Sequence, residues 1–112
     1  MKRGRIILKI ETQWIREWAR TYLPSDDVLD YPPEAFRREG VNMLHLGCLL
    51  RRGGVVFADK LDEPGALWIV EGQDCDDNEL RAKLIVQTQE MSIRVVDVER
   101  LQREQEAKIT AA

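Results

Sequence analysis

The spacing of apolar and polar residues changes about halfway along the chain, from a helical period to the alternation of a strand. Apolar and polar residues alternate over residues 80–87, as in a half-buried strand, and again over residues 92–98. An apolar run at residues 66–71 precedes a polar turn at residues 72–78. Because short turns join these segments, the pattern predicts an antiparallel β-meander over about residues 68–98. The face that it predicts to be buried consists of Leu80, Ala82, Leu84, Val86, Ile93 and Val95.

Apolar residues in the first half of the chain recur at helical spacing. They predict an amphipathic helix that ends near residues 23–24 and carries the stripe Trp14, Ile15, Trp18 and Tyr22. After an acidic loop, two prolines precede a short helical piece at residues 34–39, which Gly40 can end. Asn42 can cap the next helix, and Gly53 stops it.

Two further segments complete the predicted fold. Residues 5–10 are rich in apolar and β-branched residues and predict a strand, although the same run would suit the first turns of a helix. Residues 55–57 predict another strand. The element order predicts an α+β domain, in which an N-terminal strand and two helices pack on a mainly antiparallel β-meander. This single domain is assigned to residues 1–98, and residues 99–112 are expected to form a charged helical tail.

Charge and length limit the classes of function. The chain has 112 residues, which suffice for one domain, and a net charge of -3 from 17 Lys and Arg against 20 Asp and Glu. Such an acidic chain is not built to coat nucleic acid, so any contact with RNA must rest on local charge. No segment approaches the roughly 20 apolar residues of a membrane-spanning helix, and the apolar run after the basic start is shorter than that of a signal peptide. A cytoplasmic location without a membrane partner is therefore expected.

The cysteines and the single histidine form no known motif. Cys48 and Cys75 lie far apart without a second cysteine near either, so free thiols are expected. His45 shares one side of its predicted helix with Cys48 at i+3 and Arg52 at i+7. It could act as a general base or as the partner of a Cys48 nucleophile, or it could be an ordinary packed or surface histidine. Residues 74–79 begin like a calcium-binding loop but lack its glycine and its final glutamate, so an acidic turn is expected, with no metal and no cofactor.

A family resemblance emerges from the element order together with four stretches of sequence. These stretches are residues 39–41, 49–54, 68–72 and 84–86, and with the small size of the chain they resemble a family of small bacterial and phage proteins. Members of that family are similar to the RelE and MqsR ribonuclease toxins of toxin–antitoxin pairs. The resemblance implies an mRNA endonuclease, ribosome-dependent or free, that uses basic and aromatic side chains on an exposed sheet face and is neutralised by an antitoxin. The histidine usual early in the family's pattern is not evident here, so no catalytic residue is assigned.

Three basic residues of the predicted meander are candidates for RNA contact. Arg81, Lys83 and Arg94 fall on the polar face, where adjacent strands would bring them together. Cleavage of RNA would also require a base that activates the 2′-hydroxyl, and the sequence does not identify one. The alternative is that these charges belong to an ordinary solvated sheet face.

Two hypotheses of different classes follow. The first is a toxin-like RNA endonuclease, or an RNA-binding relative of one, with RNA and a cognate antitoxin as partners. The second is a non-catalytic protein-binding factor, such as a phage anti-defence inhibitor or an immunity protein. Trp14 and Trp18 are expected to lie in the core, but if exposed they would anchor a protein partner. The sequence leaves the oligomeric state open.

Overall fold

A four-stranded antiparallel meander dominates the fold. The computed structural model describes residues 8–23 and 29–101. The described elements are α1 (Lys9–Tyr22), β1 (Leu29–Asp30), α2 (Pro33–Glu39), α3 (Met43–Arg52), β2 (Gly54–Lys60), β3 (Ala66–Gln73), β4 (Glu79–Gln87) and β5 (Ser92–Arg100). The strand order is β1-β5-β4-β3-β2, in which β2 to β5 pair antiparallel and β1 pairs parallel to β5. The predicted α+β class with an antiparallel meander is therefore confirmed.

One face of the sheet packs against the helices and forms the core. Burial of these side chains removes apolar surface from water, which is the main force that holds the helices on the sheet. The sheet contributes the six residues predicted from the alternation, all of them buried, and also Val55, Trp68, Val70 and Val98. The helices contribute Ile15, Trp18, Ala19, Ala35, Phe36, Leu46, Leu49 and Leu50.

The two tryptophans of α1 are part of this core. Trp18 is 2% exposed, and its indole Nε1 donates a hydrogen bond of 2.8 Å to the carbonyl oxygen of Met91. Trp14 is half-buried and packs edge-on against Trp68, with ring centroids 5.6 Å apart. The core assignment of both residues is confirmed, so neither of them is an exposed anchor for a partner.

The predicted N-terminal strand is wrong where the structure describes it. Lys9 and Ile10 form the start of α1, and the carbonyl oxygen of Leu8 accepts the first helical hydrogen bond from the N–H of Thr12. The hydroxyl of Thr12 in turn accepts the N–H of Val55 at 2.9 Å, so α1 occupies part of the β2 edge. Local residue preference for a strand is overruled by this packing. Residues 5–7 of the prediction lie outside the described part of the chain.

The start of the predicted C-terminal tail belongs to the sheet. Strand β5 continues through Glu99 and Arg100, two residues beyond the predicted domain end. The backbone N–H of Arg100 donates to a carboxylate oxygen of Glu39 at 2.8 Å, and its guanidinium donates to the Glu39 carbonyl oxygen at 2.9 Å. These bonds attach the end of β5 to the end of α2. Residues 102–112, which hold the rest of the predicted helix, lie outside the described residues.

The end of α3 meets β3 through a close contact between two glycines. A Cβ atom built on Gly72 would lie 2.7 Å from the Cα of Gly53, and one built on Gly53 would lie 2.7 Å from the carbonyl oxygen of Glu71. Both neighbours are backbone atoms, so they cannot swing away as a side chain would. The missing side chains therefore allow α3 to approach the sheet at this crossing.

The turn between β3 and β4 is organised by the buried carboxylate of Asp74. This group is fully buried and accepts the backbone N–H groups of Asp76 at 2.8 Å and Asn78 at 2.9 Å, as well as the Asn78 side-chain amide at 3.4 Å. Burial is the largest single influence and acts to raise the pKa of Asp74. The three donated hydrogen bonds together outweigh it, so the pKa of this carboxyl lies below its ordinary value.

We expect Gly72→Ala to lower the free energy of unfolding by about 1–3 kcal/mol, because its methyl group must displace backbone. Gly54→Ala is the matched control, since a Cβ there meets its nearest atom, the hydroxyl of Thr12, at an ordinary 3.7 Å. Urea unfolding monitored by tryptophan fluorescence measures both variants. Equal losses of stability in the two variants would contradict the close approach.

We expect Asp74→Asn to be less stable than the wild type by about 1–2 kcal/mol at neutral pH, because a charged acceptor forms the stronger hydrogen bonds. The folded-state pKa of Asp74 is lowered. The advantage of the wild type is therefore fully present above the unfolded-state pKa, about 3.9, and is lost as the pH falls through the folded-state pKa. Urea unfolding between neutral and acidic pH measures this difference, with the exposed Asp77→Asn as the control. A difference independent of pH would contradict the assignment.

Candidate functional site

The sheet face opposite the helices, called the open face below, presents three rows of side chains that cross the strands. The row nearest the β3–β4 turn consists of Glu71, Arg81 and Glu99. The middle row consists of Phe57, Ile69, Lys83 and Asp97. The far row consists of Asp59, Leu67, Ile85 and Arg94. Alternation along each strand places these residues on the face that the core does not use.

The centre of the open face is apolar. Phe57 lies beside Ile69 in the middle row, and Leu67 lies beside Ile85 in the far row, so the four side chains form one patch. Phe57 is 44% exposed, and the other three are half-buried. A bulge in β5 adds Val96, which is 45% exposed. The helices α1 to α3 pack on the other face, so within the described residues this patch is left to solvent.

In the row nearest the β3–β4 turn, the positive charge of Arg81 is neutralised. Arg81 Nε lies 2.7 Å from a carboxylate oxygen of Glu71, and its Nη1 lies 3.6 Å from one of Glu99. The single guanidinium is therefore held between two carboxylates. Such a cation offers little attraction to a phosphate, because the neighbouring negative charges oppose the approach of another anion.

Lys83 and Arg94 differ from Arg81 because neither forms an ion pair within the described part of the chain. Both side chains are exposed. Asp97 pairs with Lys83 in register, but its carboxylate contacts the guanidinium of Arg38 at 3.3 Å. The three cations predicted for RNA contact thus share one face, as expected, but only two of them are unpaired. Their assignment as a nucleic-acid site stays a prediction.

Sequence reasoning did not identify the apolar part of the open face. Of its residues, Phe57, Leu67 and Ile69 lie in β2 and β3, and Ile85 lies in β4 among the positions predicted to be polar. The available signal was that residues 66–70 are apolar without interruption, whereas a strand with one solvated face should alternate. A continuous apolar run indicates that both faces of β3 need cover.

Comparison of the chain with protein-family models, with curated proteins and with solved structures finds no match in any of the three. The resemblance to RelE and MqsR toxins therefore stays a prediction. Among the described helices, none is long and apolar enough to cross a membrane. The function must accordingly be inferred from the side chains of this chain.

We expect Glu71→Gln with Glu99→Gln to increase retention on heparin, a polyanion, because the change frees Arg81 to act together with Lys83 and Arg94. The free energy of unfolding should change by less than about 1 kcal/mol, since the ion pairs are partly exposed. The salt concentration at which each protein elutes is the measurement. Asp62→Asn with Glu63→Gln, in the exposed β2–β3 loop, is a control with the same change of net charge. An equal shift in the control would show that only net charge matters.

Proposed function

We propose that this protein acts as a binding factor for another protein and that the open face is the contact surface. The observation that carries the proposal is the apolar patch of Phe57, Leu67, Ile69 and Ile85. Beside it lie Lys83 and Arg94, two cations that form no ion pair with any described residue. Exposed apolar patches of this kind are typical of interaction sites, since burial against a partner removes them from water.

The charges on the open face support a protein partner over RNA. RNA binding rests on several cations that contact phosphates and on aromatic rings that stack with bases. On this face Arg81 is neutralised, and Phe57 is the single aromatic residue of the three rows. The expected partner therefore presents apolar side chains to the patch and carboxylates to Lys83 and Arg94.

This partner fits the toxin–antitoxin resemblance without requiring catalysis. A protein that neutralises a toxin must cover its functional face, and an antitoxin segment with apolar and acidic residues would match the open face. His45 lies on α3, on the helical side of the sheet, so its imidazole does not serve the open face. An endonuclease at that face would need a different base, and a cytoplasmic location is part of either form of the proposal.

The test reverses the charge at Lys83 and Arg94. The protein is co-expressed with the product of each of its two neighbouring genes, and the Kd of any purified pair is measured by calorimetry. We expect Lys83→Glu with Arg94→Glu to weaken binding by about 100-fold or more, because buried interface charges would then face like charges. Phe57→Ser should weaken binding by more than about 10-fold through the loss of an apolar anchor.

The matched control is Arg20→Glu with Arg37→Glu, which makes the same charge change at exposed positions of α1 and α2. Full binding by the charge-reversed open face, or an equal loss in the control, contradicts the proposal. If neither neighbour binds and a labelled single-stranded RNA does, with loss in the Lys83 and Arg94 variant, the RNA hypothesis replaces it. Growth arrest with degraded mRNA, abolished by Arg81→Ala with Arg94→Ala, would identify an endonuclease.

A further inference from the structure

The only histidine and both cysteines of the chain meet at one place, away from the open face. His45 and Cys48 lie three positions apart on α3, whereas Cys75 and Asp76 lie in the β3–β4 turn. The imidazole nitrogen of His45, the thiol sulfur of Cys75 and a carboxylate oxygen of Asp76 all lie within 4.8 Å of one another. The Cys48 thiol lies beside that of Cys75, close enough to raise the pKa of Cys75. Three potential metal ligands therefore converge from two separate segments, and the Cys48 thiol lies next to them as a candidate for the fourth.

The two segments are positioned by contacts that do not use the four ligating side chains. Arg52, at the end of α3, donates a hydrogen bond of 3.1 Å to the carbonyl oxygen of Asp74. The Asp74 carboxylate fixes the turn through the N–H groups of Asp76 and Asn78. The backbone that carries the ligands is thus positioned in advance, which lowers the entropic cost of binding an ion.

The types of donor select the class of ion. Two thiolates, one imidazole and one carboxylate suit zinc, which prefers sulfur and nitrogen ligands in a tetrahedron. Calcium and magnesium require oxygen ligands and do not fit this set. Ligand atoms around a tetrahedral zinc ion are roughly 3.3–3.8 Å apart, which follows from bond lengths of about 2.0–2.3 Å. The ligand atoms of His45, Cys75 and Asp76 lie within 4.8 Å of one another and need only small side-chain movements to close around the ion. The Cys48 thiol would join them from its place beside Cys75.

We propose that His45, Cys48, Cys75 and Asp76 form a binding site for a zinc ion that joins α3 to the β3–β4 turn. This replaces the sequence-based expectation that the chain has no metal site. It also gives the i, i+3 pair on α3 a role other than that of a nucleophile and its base. The proposal is independent of the open face and of its partner.

The burial of the four groups suits a site that is structural and still reached from solvent. Cys48 is buried and the His45 side chain is 15% exposed, so α3 contributes the protected half. Cys75 is exposed and the Asp76 side chain is 64% exposed, so the turn contributes the half through which an ion can arrive. Binding of the ion would therefore hold the β3–β4 turn against α3.

Binding of zinc requires a defined balance of protons and charge. The thiols of Cys48 and Cys75 each lose one proton, because the thiolate is the ligand. The ion then carries two thiolates and one carboxylate, which leaves one excess negative charge. Arg51 Nη2 lies 3.7 Å from Cys48 Sγ and offsets that charge from the side of α3. Two protons should therefore be released for each ion bound.

The histidine gives the site a specific spectroscopic signature. Without metal, His45 Nδ1 accepts the backbone N–H of Asn42 at 3.1 Å, so the ring proton is on Nε2 and is donated to Asp76 at 2.9 Å. A zinc ion on Nε2 moves the ring proton to Nδ1, and the Asn42 N–H loses its acceptor. The other half of this capping box, in which Asn42 Oδ1 accepts the N–H of His45 at 2.9 Å, is retained.

The experiment titrates the full-length, reduced protein with Co²⁺, whose absorption reports its ligands, and then displaces the cobalt with Zn²⁺. We expect binding of one ion per chain, thiolate-to-cobalt charge-transfer absorption, and the visible absorption of a tetrahedral complex. Zinc should raise the Tm, because it binds the folded state. In a ¹⁵N-labelled sample, the amide resonance of Asn42 should shift on zinc binding, whereas a site without His45 would leave it in place.

Four variants test the ligands one at a time. Cys75→Ser and Cys48→Ser should each lower the zinc affinity by more than about 100-fold, since each removes a thiolate. Asp76→Asn should lower it by more than about 10-fold, and His45→Gln, which can still accept the Asn42 N–H, should do the same. Asp77→Asn is the matched control in the same exposed turn and should bind zinc like the wild type.

Three results of these experiments would contradict the proposed zinc site. Absence of charge-transfer absorption in the reduced protein overturns the proposal, as does an unchanged affinity in both cysteine variants. An equal loss in Asp77→Asn and Asp76→Asn would show that only the charge of the turn matters, and it too overturns the site. Because Cys75 is exposed, Cys75→Ser should keep the fold even if Cys48→Ser does not, and circular dichroism of the metal-free variants checks this.

Discussion

Burial of one face of the meander beneath the helices is the interaction on which the rest of the structure depends. Each large apolar side chain removed from water contributes about 1.5–3 kcal/mol, and the sheet and the helices supply such residues in register. Val70, Leu80 and Leu84 are all fully buried. Because side chains alternate along a strand, the same arrangement directs every second residue to the open face. The core thereby defines what that face can present.

The approach of α3 to β3 has a chemical consequence at the other end of the helix. The paired glycines allow the backbones to meet, and Arg52 attaches the turn to the helix end. His45 and Cys48 lie on the side of α3 that faces this turn, so they come close to Cys75 and Asp76. A side chain at Gly72 would separate the two segments. The proposed zinc site thus depends on the close packing of residues that are not its ligands.

The open face and the proposed zinc site indicate different kinds of binding. On the open face, Glu71 and Glu99 neutralise Arg81. An apolar patch is left, with two cations that have no ion-pair partner in the described part of the chain. At the proposed zinc site, the ligands include thiols and an imidazole, which transition metals prefer. The two proposals rest on separate residues, so the failure of one leaves the other intact.

The sequence by itself determined most of the secondary structure and the buried face of the meander. Alternation at residues 80–87 identified the core side of β4, and Gly40 and Asn42 were recognised as the end and start of helices because capping depends on local backbone geometry. The helical start at Lys9 and the short strand β1 were missed, since short apolar runs are decided by what packs beside them.

Only the tertiary structure decided which charges are paired and which ligands meet. The predicted grouping of Arg81, Lys83 and Arg94 on one face followed from strand period, but the neutralisation of Arg81 by Glu71 and Glu99 depends on the register between three strands. The meeting of α3 with Cys75 depends likewise on a crossing of helix and sheet. Spacing along the chain carries local geometry alone, whereas register and crossing are set by contacts between residues far apart in sequence.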